Sequence, residues 1–343
     1  MTPTAIEQAR IHGAGVVSVD RVPLGDCGPR DVIVDVHACG ICGSDLSYIK
    51  MGGLAGPKGE PMALGHELAG VIREVGSDVT GLAVGGRVVV HPGDDELGRI
   101  GNGAPEGGLA DAVLVREAAR GDRLFAVPEG MPLDIAALAE PVAVGMHAAE
   151  QLEPTPSDTV AVFGCGPIGL AAIASLADRG LTSIVGIDLS TSRRELAQRF
   201  GASVTIDPAQ QSVWRELSAT HGQSAGAFGR SPATSCFVEA SGSDAVLTGI
   251  IDRCGRGARI SVVALHYTPV PVNFVSVLMK ELTIRGSMEY PARFADAIDL
   301  LSRRDLSPMI TDRFPLRDIG RALQMLGESR ECGKVMIEMA ARR

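Results

Sequence analysis

A two-domain α/β protein is predicted, a β-rich domain joined to a doubly wound parallel sheet. Three features of the 343-residue chain predict it. Its first half carries short β-like runs between turns. From about residue 150, compact apolar strands alternate with stretches of helical length. Near residue 288 the texture changes again.

Taken in order, "DVIVDVHA", "ELAGVIREVG" and "GGRVVVHP" alternate between Gly and Pro boundaries. That pattern predicts strands of a twisted antiparallel or barrel-like domain. Beyond residue 150 come "TVAVFGCG", "SIVGIDLS", "ASVTIDP", "TSCFVEASG", "ARISVVAL" and "LTIRGSM", separated by stretches such as "GLAAIASLADRG" and "STSRRELAQRFG". Apolar strands that alternate with helices predict a parallel sheet with both faces covered. After residue 288 the chain reads as helix, loop, helix and a last strand, "KVMIEM". The stretch "HGQSAGAFGRSPATS" is predicted to be a flexible surface loop.

Composition excludes several function classes. Apolar residues make up 45% and charged residues 21%, a soluble globular balance. The net charge of −9 argues against a nucleic-acid groove, which needs a basic stripe. No apolar run reaches membrane-spanning length, and "MTPTAIEQAR" lacks a basic-then-apolar signal pattern. Seven scattered cysteines, an odd number, do not read as a secreted disulfide framework. A reducing cytoplasm is the expected setting.

The stretch "TVAVFGCGPIGLAAI" places Gly164, Gly166 and Gly169 at G-x-G-x-x-G spacing, with Pro167 and Ile168 in the same turn. It follows a strand and opens a helix. The glycines let the backbone approach a pyrophosphate, and the helix N-terminus supplies donors and a positive dipole end. Asp188 closes the next strand, about 20 positions on, where a carboxylate accepts from adenosine ribose hydroxyls. The same carboxylate repels a 2′-phosphate, so NAD is expected over NADP. Arg193 and Arg194 follow it, and Arg193 is the candidate for a cofactor phosphate.

"HACGICGSDLSYIK" contains Cys39 and Cys42 as a C-x-x-C pair. That spacing alone fits half of a structural zinc site, a redox dithiol, or two thiols with unrelated roles. His66 and Glu67 follow in "LGHE", and Glu140 in "LAEPVAV". A catalytic zinc takes three or four N, S and O ligands and keeps one position open. Cys42, His66, Glu67 and Glu140 would satisfy it if the fold brought them together.

In order and spacing, "GICGSD", "LGHELAGVIREVGSDV", "EGGLADAVLV", "LAEPVAVGMHA", "VFGCGPIGL" and "FVEASG" resemble the zinc-dependent medium-chain dehydrogenase/reductase (alcohol dehydrogenase) family. The resemblance runs from about Val22 to Met339 and points to the sorbitol, butanediol and threonine dehydrogenase branch. It implies a chaperonin-10-like catalytic domain built from residues 1–149 and 288–343, and an inserted Rossmann domain over 150–287. It also implies zinc ligation by Cys42 and His66, with Glu67 either binding the metal or just behind it. Glu140 stands where many alcohol dehydrogenases have a third, cysteine ligand. Asp45 corresponds to a carboxylate that orients the ligand histidine, and Ser44 to a hydroxyl that relays the substrate proton. Cys39 then packs at a strand end.

The implied activity is NAD-linked hydride exchange between a secondary alcohol and its ketone, with zinc as Lewis acid. A diol, a polyol or a larger apolar alcohol would be the substrate. Tyr48, the stretch "MGGLAGPKGEPM", Leu109, Met288 and Tyr290 would line its pocket. Relatives are dimers or tetramers, so a homodimer or homotetramer is expected, without nucleic-acid or membrane partners. Two other readings share the fold: a zinc-free C=C reductase, which would lack the ligand set, and a non-catalytic NAD-binding or redox-sensing protein.

The chain departs from the family pattern in three places. "HPGDDELGRIGNGAPEGG" has no cysteine where relatives carry a four-cysteine lobe, so one zinc is expected and no structural zinc. Ser47 stands where relatives have a relay histidine. In "GSMEY", Glu289 replaces the arginine that precedes the tyrosine of sorbitol dehydrogenases. Structural roles are favoured for His91, His147 and His266, and Cys165 is expected to fill space beside the pyrophosphate.

Overall fold

The computed structural model describes residues 5–54, 60–93, 99–226, 229–329 and 331–340. Parts of two predicted pocket and lobe segments, residues 55–59 and 94–98, lie outside the described residues. The chain divides into two compact units, residues 1–140 with 301–343 and residues 141–300.

In chain order the first unit begins with β1 (Ala5–Gly13), β2 (Val16–Pro23), β3 (Val32–Ile41), α1 (Gly43–Met51), β4 (Met62–Ala63) and β5 (Glu67–Val75). It continues through β6 (Arg87–Val90), β7 (Ala112–Val115), β8 (Leu124–Ala126), α2 (Leu133–Ala136) and the start of α3 (Ala139–Glu150). The second unit contains β9 (Thr159–Phe163), α4 (Pro167–Asp178), β10 (Ser183–Ile187), α5 (Thr191–Phe200), β11 (Val204–Ile206) and α6 (Val213–His221). Then come β12 (Gln223–Gly226), β13 (Gly229–Pro232), β14 (Cys236–Glu239), α7 (Asp244–Arg253), β15 (Arg259–Val262), α8 (Phe274–Lys280) and β16 (Thr283–Gly286). The chain ends with α9 (Ala295–Arg303), β17 (Ile310–Pro315), α10 (Ile319–Glu328) and β18 (Lys334–Glu338).

In the first unit β3 is the central strand, flanked by β18 and β5 and also paired with β7. Its register against β5 slips at Ile33/Val34 and Val36/Ala38. Such bulges bend a strand and increase its twist, as a curled sheet requires. Val32, Val34, Val36, Leu68 and Val335 fill the core beneath it. Burial of this many aliphatic side chains, about 1.5–3 kcal/mol each, holds the strand carrying Cys39 in place.

The second unit is a six-stranded sheet in the order β11-β10-β9-β14-β15-β16, parallel throughout. The order reverses beside β9, which creates the crevice at the carboxyl ends where doubly wound sheets bind ligands. Its core joins Phe163, Phe237 and Ile260 from the strands to Leu247 and Ile250 from α7.

Two expectations are corrected. The segment between the last two helices is not all loop: it holds β17, parallel to β18 at the sheet edge. Only Ile310 of that strand is buried, so its sequence carries almost no hydrophobic alternation. The predicted flexible loop "HGQSAGAFGRSPATS" contains the antiparallel pair β12–β13, in register from Gln223↔Pro232 to Gly226↔Gly229. Its polar, glycine-rich composition hides a ladder made by main-chain pairing. No helix among the described residues is long and apolar enough to cross a membrane.

Candidate metal centre and dinucleotide loop

The candidate metal centre is assembled from the ends of β3, α1, β5 and β18. Cys42 caps α1, and Asp45 reaches back to accept from the Cys42 backbone N–H at 2.9 Å. A carboxylate in this position satisfies one of the helix's orphan donors. It also fixes the thiol at the start of the helix. The other Asp45 oxygen faces His66 Nδ1 at 3.7 Å. Gly65 precedes the histidine with φ of 92°, and a Cβ there would come within 2.5 Å of the Leu109 backbone nitrogen. Only glycine fits that turn, which explains the "GHE" spelling.

One donor atom each from Cys42, His66 and Glu67 falls within a group no more than 4.8 Å across. His66 and Glu67 are buried, and His66 Nδ1, Glu67 Oε2 and Asp45 Oδ1 are buried without a hydrogen-bond partner. His66 Nδ1 and Asp45 Oδ1 face each other, whereas Glu67 Oε2, whose sister oxygen is held by Lys334, has no protein partner. A buried polar atom in that state costs about 1–3 kcal/mol and signals a missing partner. Sulfur, imidazole nitrogen and carboxylate oxygen make a donor set suited to zinc. The residues present fit the metal.

Glu140 opens α3, is 4% exposed, and acts on both His66 and Lys334 through its charge. It is not among the three donors brought closest together. Burial lowers the His66 pKa, but Asp45, Cys42 and Glu140 more than offset this, and the net shift is well upward. Burial raises the Asp45 carboxyl, which the facing imidazole counters only in part.

Sequence reasoning missed Lys334. Its Nζ donates to Glu67 Oε1 at 2.6 Å and to the Ile41 carbonyl at 3.1 Å, with both side chains almost wholly buried. A lysine at the start of the "KVMIEM" strand, directly before the apolar run Val335–Ile337, was the available signal. Gly40 belongs to the same arrangement, because a Cβ there would collide with Glu67 Oε2.

Cys39 is fully buried in the core, and a Cβ on Gly65 would lie 2.9 Å from its sulfur. Burial, with Asp45 and Glu67 nearby, holds its thiol pKa well above the ordinary value. All seven cysteines are free. The C-x-x-C pair is therefore one core thiol and one thiol facing a histidine.

Ser44 lies half-buried in the first turn of α1. Ser47 donates to the Gly43 carbonyl of its own helix at 3.4 Å. Tyr48 donates its hydroxyl to Asn102 Oδ1 at 3.1 Å. Leu109 is fully buried in the core, with its backbone N–H donated to Leu64 and its carbonyl accepting from Ala9. It packs beneath the site as part of the core. Met288 and Tyr290 belong to the second unit, where Met288 is 70% exposed and Tyr290 meets Phe294 edge-on.

In the second unit the glycine loop runs from β9 into α4. Gly164 has φ of 91°, and a Cβ on Gly169 would collide with the Gly164 carbonyl. Pro167 occupies the first turn of α4 with Ile168 beside it, which leaves the N-terminal end of the helix open to an anion. Asp188 accepts from Cys165 N–H at 2.7 Å and Ser190 N–H at 2.8 Å, tying the loop to the end of β10. Cys165 does not face outward: it is fully buried, 3.2 Å from a Cβ placed on Gly186. Arg194 donates to the Asp188 and Leu189 carbonyls and pairs with Asp207. Arg193 reaches to 3.9 Å of a Cβ placed on Gly166. Of the two arginines, Arg193 approaches the loop.

His91 Nδ1 accepts from Gly93 N–H, His147 bonds Gln151, and His266 lies between Glu239 and Asp244.

Comparison with known proteins follows the same division. Residues 28–129 match the family model described as the alcohol dehydrogenase GroES-like domain, and residues 167–303 that of the zinc-binding dehydrogenase. The chain is 29% identical to the sorbitol dehydrogenase of Bacillus subtilis (strain 168), over 98% of each chain. It is 31% identical to the (R,R)-butanediol dehydrogenase of Neisseria gonorrhoeae, over 91% of this chain and 92% of that one. Among solved structures, 2R,3R-butanediol dehydrogenase from Bacillus subtilis superposes with a TM-score of 0.85 at 27% identity, covering 97% of this chain and 99% of the other.

Proposed function

The chain belongs to the zinc-binding alcohol dehydrogenase family, and from that premise we propose that it interconverts a secondary alcohol and its ketone with NAD(H), using one zinc ion held by Cys42, His66 and Glu67. The observation that carries this reading is the convergence of those three donors, with Glu67 Oε2 buried and without a protein partner. Glu140 is the candidate for a further ligand. No second, structural zinc is proposed, since "HPGDDELGRIGNGAPEGG" has no thiol to hold one. Diols and polyols are the favoured substrates, in keeping with the names of the relatives.

When bound, zinc supplies the Lewis acidity that lowers an alcohol's pKa, and nicotinamide supplies the hydride acceptor. This chain's residues do the remaining work. Asp45 aligns the His66 ring, and Lys334 holds one oxygen of Glu67 in place. Ser44, two positions after Cys42, accepts the substrate hydroxyl proton and passes it outward. Ser47 is turned onto its own helix, so the proton leaves through water or the cofactor ribose rather than through that side chain. Gly164, Gly166 and Gly169 receive the pyrophosphate, with Arg193 beside them. Asp188 keeps a free lone pair on each oxygen for ribose hydroxyls and disfavours a 2′-phosphate, which supports NAD.

The protein is proposed to work in the cytoplasm as a homodimer or homotetramer. Support for the assembly comes from α8 and the edge strand β16, where Phe274, Leu278 and Ile284 are exposed.

The decisive experiment is elemental analysis with kinetics on Cys42→Ser and His66→Ala. Wild type should carry about one zinc per chain. Both variants should lose metal and turnover while retaining NAD affinity. Full activity in both would end the metal mechanism.

A further inference from the structure

The second unit carries a cavity of about 700 Å³ that neither the metal centre nor the glycine loop uses. It is bounded by α6, the β12–β13 hairpin and the turns that lead into β15 and β16. Because the sheet is parallel, those turns mark its N-terminal edge, whereas the glycine loop follows the C-terminal end of β9. A dinucleotide lies at the carboxyl edge. The cavity is therefore separate from the cofactor crevice.

Its charge runs against that of the molecule. Arg215, Arg230, Arg253, Arg256 and Lys280 line it, and Asp252 is the acidic residue among its lining. The chain as a whole carries −9. Three of the cations are committed elsewhere. Arg215 pairs with Glu216 at 3.1 Å and Arg256 with Glu281 at 2.7 Å. Lys280 Nζ donates to the Ile251 and Asp252 carbonyls near the end of α7, masking helix-end oxygens that would repel an anion.

Arg230 and Arg253 remain, neither paired with a carboxylate among the described residues. The Arg253 guanidinium sits over the Trp214 ring, 5.9 Å from its centroid. That distance is within reach of a cation–π contact, which holds the guanidinium near the ring without using its N–H groups, and a guanidinium suits phosphate oxygens.

We propose that this cavity binds the phosphate group of a small molecule between Arg230 and Arg253. Trp214 is the chain's one tryptophan and lines the cavity, so its fluorescence reports binding directly. The full-length, zinc-loaded protein is saturated with NAD to fill the glycine loop. It is then titrated with inorganic phosphate, with chloride keeping ionic strength constant, and the titration is repeated by calorimetry. The expected result is a saturable signal that Arg230→Ala weakens by about tenfold and Arg230→Glu abolishes. NAD affinity should be unchanged in both variants. A signal that chloride reproduces, one that never saturates, or undiminished binding in Arg230→Glu would overturn the proposal. So would silence in both fluorescence and heat.

Discussion

Glu67 and Lys334 are an acid–base pair buried side by side at 2.6 Å, an arrangement that costs most when one partner alone is removed. Removing one partner strands the other in the core, at about 3–5 kcal/mol. Lys334→Met should therefore lower the urea midpoint of metal-depleted protein strongly. The double variant with Glu67→Met should recover most of the loss, because neither charge then remains. Equal destabilisation in the single and double variants would mean the pair is not what holds this corner. The same residues show where sequence reading stops. Cys42, His66 and Glu67 could be picked out as candidate donors because each sits in a short motif whose chemistry is local. Lys334 could not, because its partner is 267 positions away and only the pairing of β3 with both β18 and β5 brings them together.

At the scale of elements, His266 links the loops that follow β14 and β15. Its Nδ1 lies 2.7 Å from Asp244 Oδ1 at the start of α7, and its Nε2 lies 3.1 Å from Glu239 Oε2 at the end of β14. The hydrogen bond to Asp244, aided by Glu239 and opposed by burial, raises the imidazole pKa above its ordinary 6.5. A raised pKa means that folding favours the protonated form. The stabilisation is complete below about pH 6.5 and is lost as pH climbs through the folded value. The stability gap between wild type and His266→Gln, followed by denaturation from about pH 5.5 to 9, should shrink as pH rises. A gap that stays constant would show that the contact is not ionic. Elements themselves were legible in proportion to the apolar surface they bury. The strands β9, β10 and β14 are almost continuous apolar runs and were read correctly. The hairpin β12–β13 and the edge strand β17 bury little, so their existence rests on main-chain pairing that composition does not encode.

For the whole molecule, the division into a β-rich unit and a parallel-sheet unit was visible as a change of texture, whereas assembly was not. Assembly depends on which apolar residues stay exposed after folding. On α8, Phe274 is 73% and Leu278 75% exposed, and Val275 and Met279 are open beside them. The helix is well anchored where it stands: Asn273 caps it, accepting from Val275 and Ser276 N–H. Next to it β16 closes one edge of the sheet with a single neighbour, β15. An edge strand beside an apolar helix face invites pairing with a second copy. A two-fold interface uses each residue twice, so Phe274 and Leu278 alone would contribute about 6–12 kcal/mol of gross burial. Association costs about 4–15 kcal/mol, so these two positions are close to the margin that decides whether copies stay together. Phe274→Asp with Leu278→Asp should therefore turn an oligomer into a smaller species by light scattering. Because both side chains already face water in the single chain, the melting curve of the separated protein should still show a folded state. A wild type that is monomeric, or a double variant with unchanged mass, would place the contact elsewhere or remove it altogether.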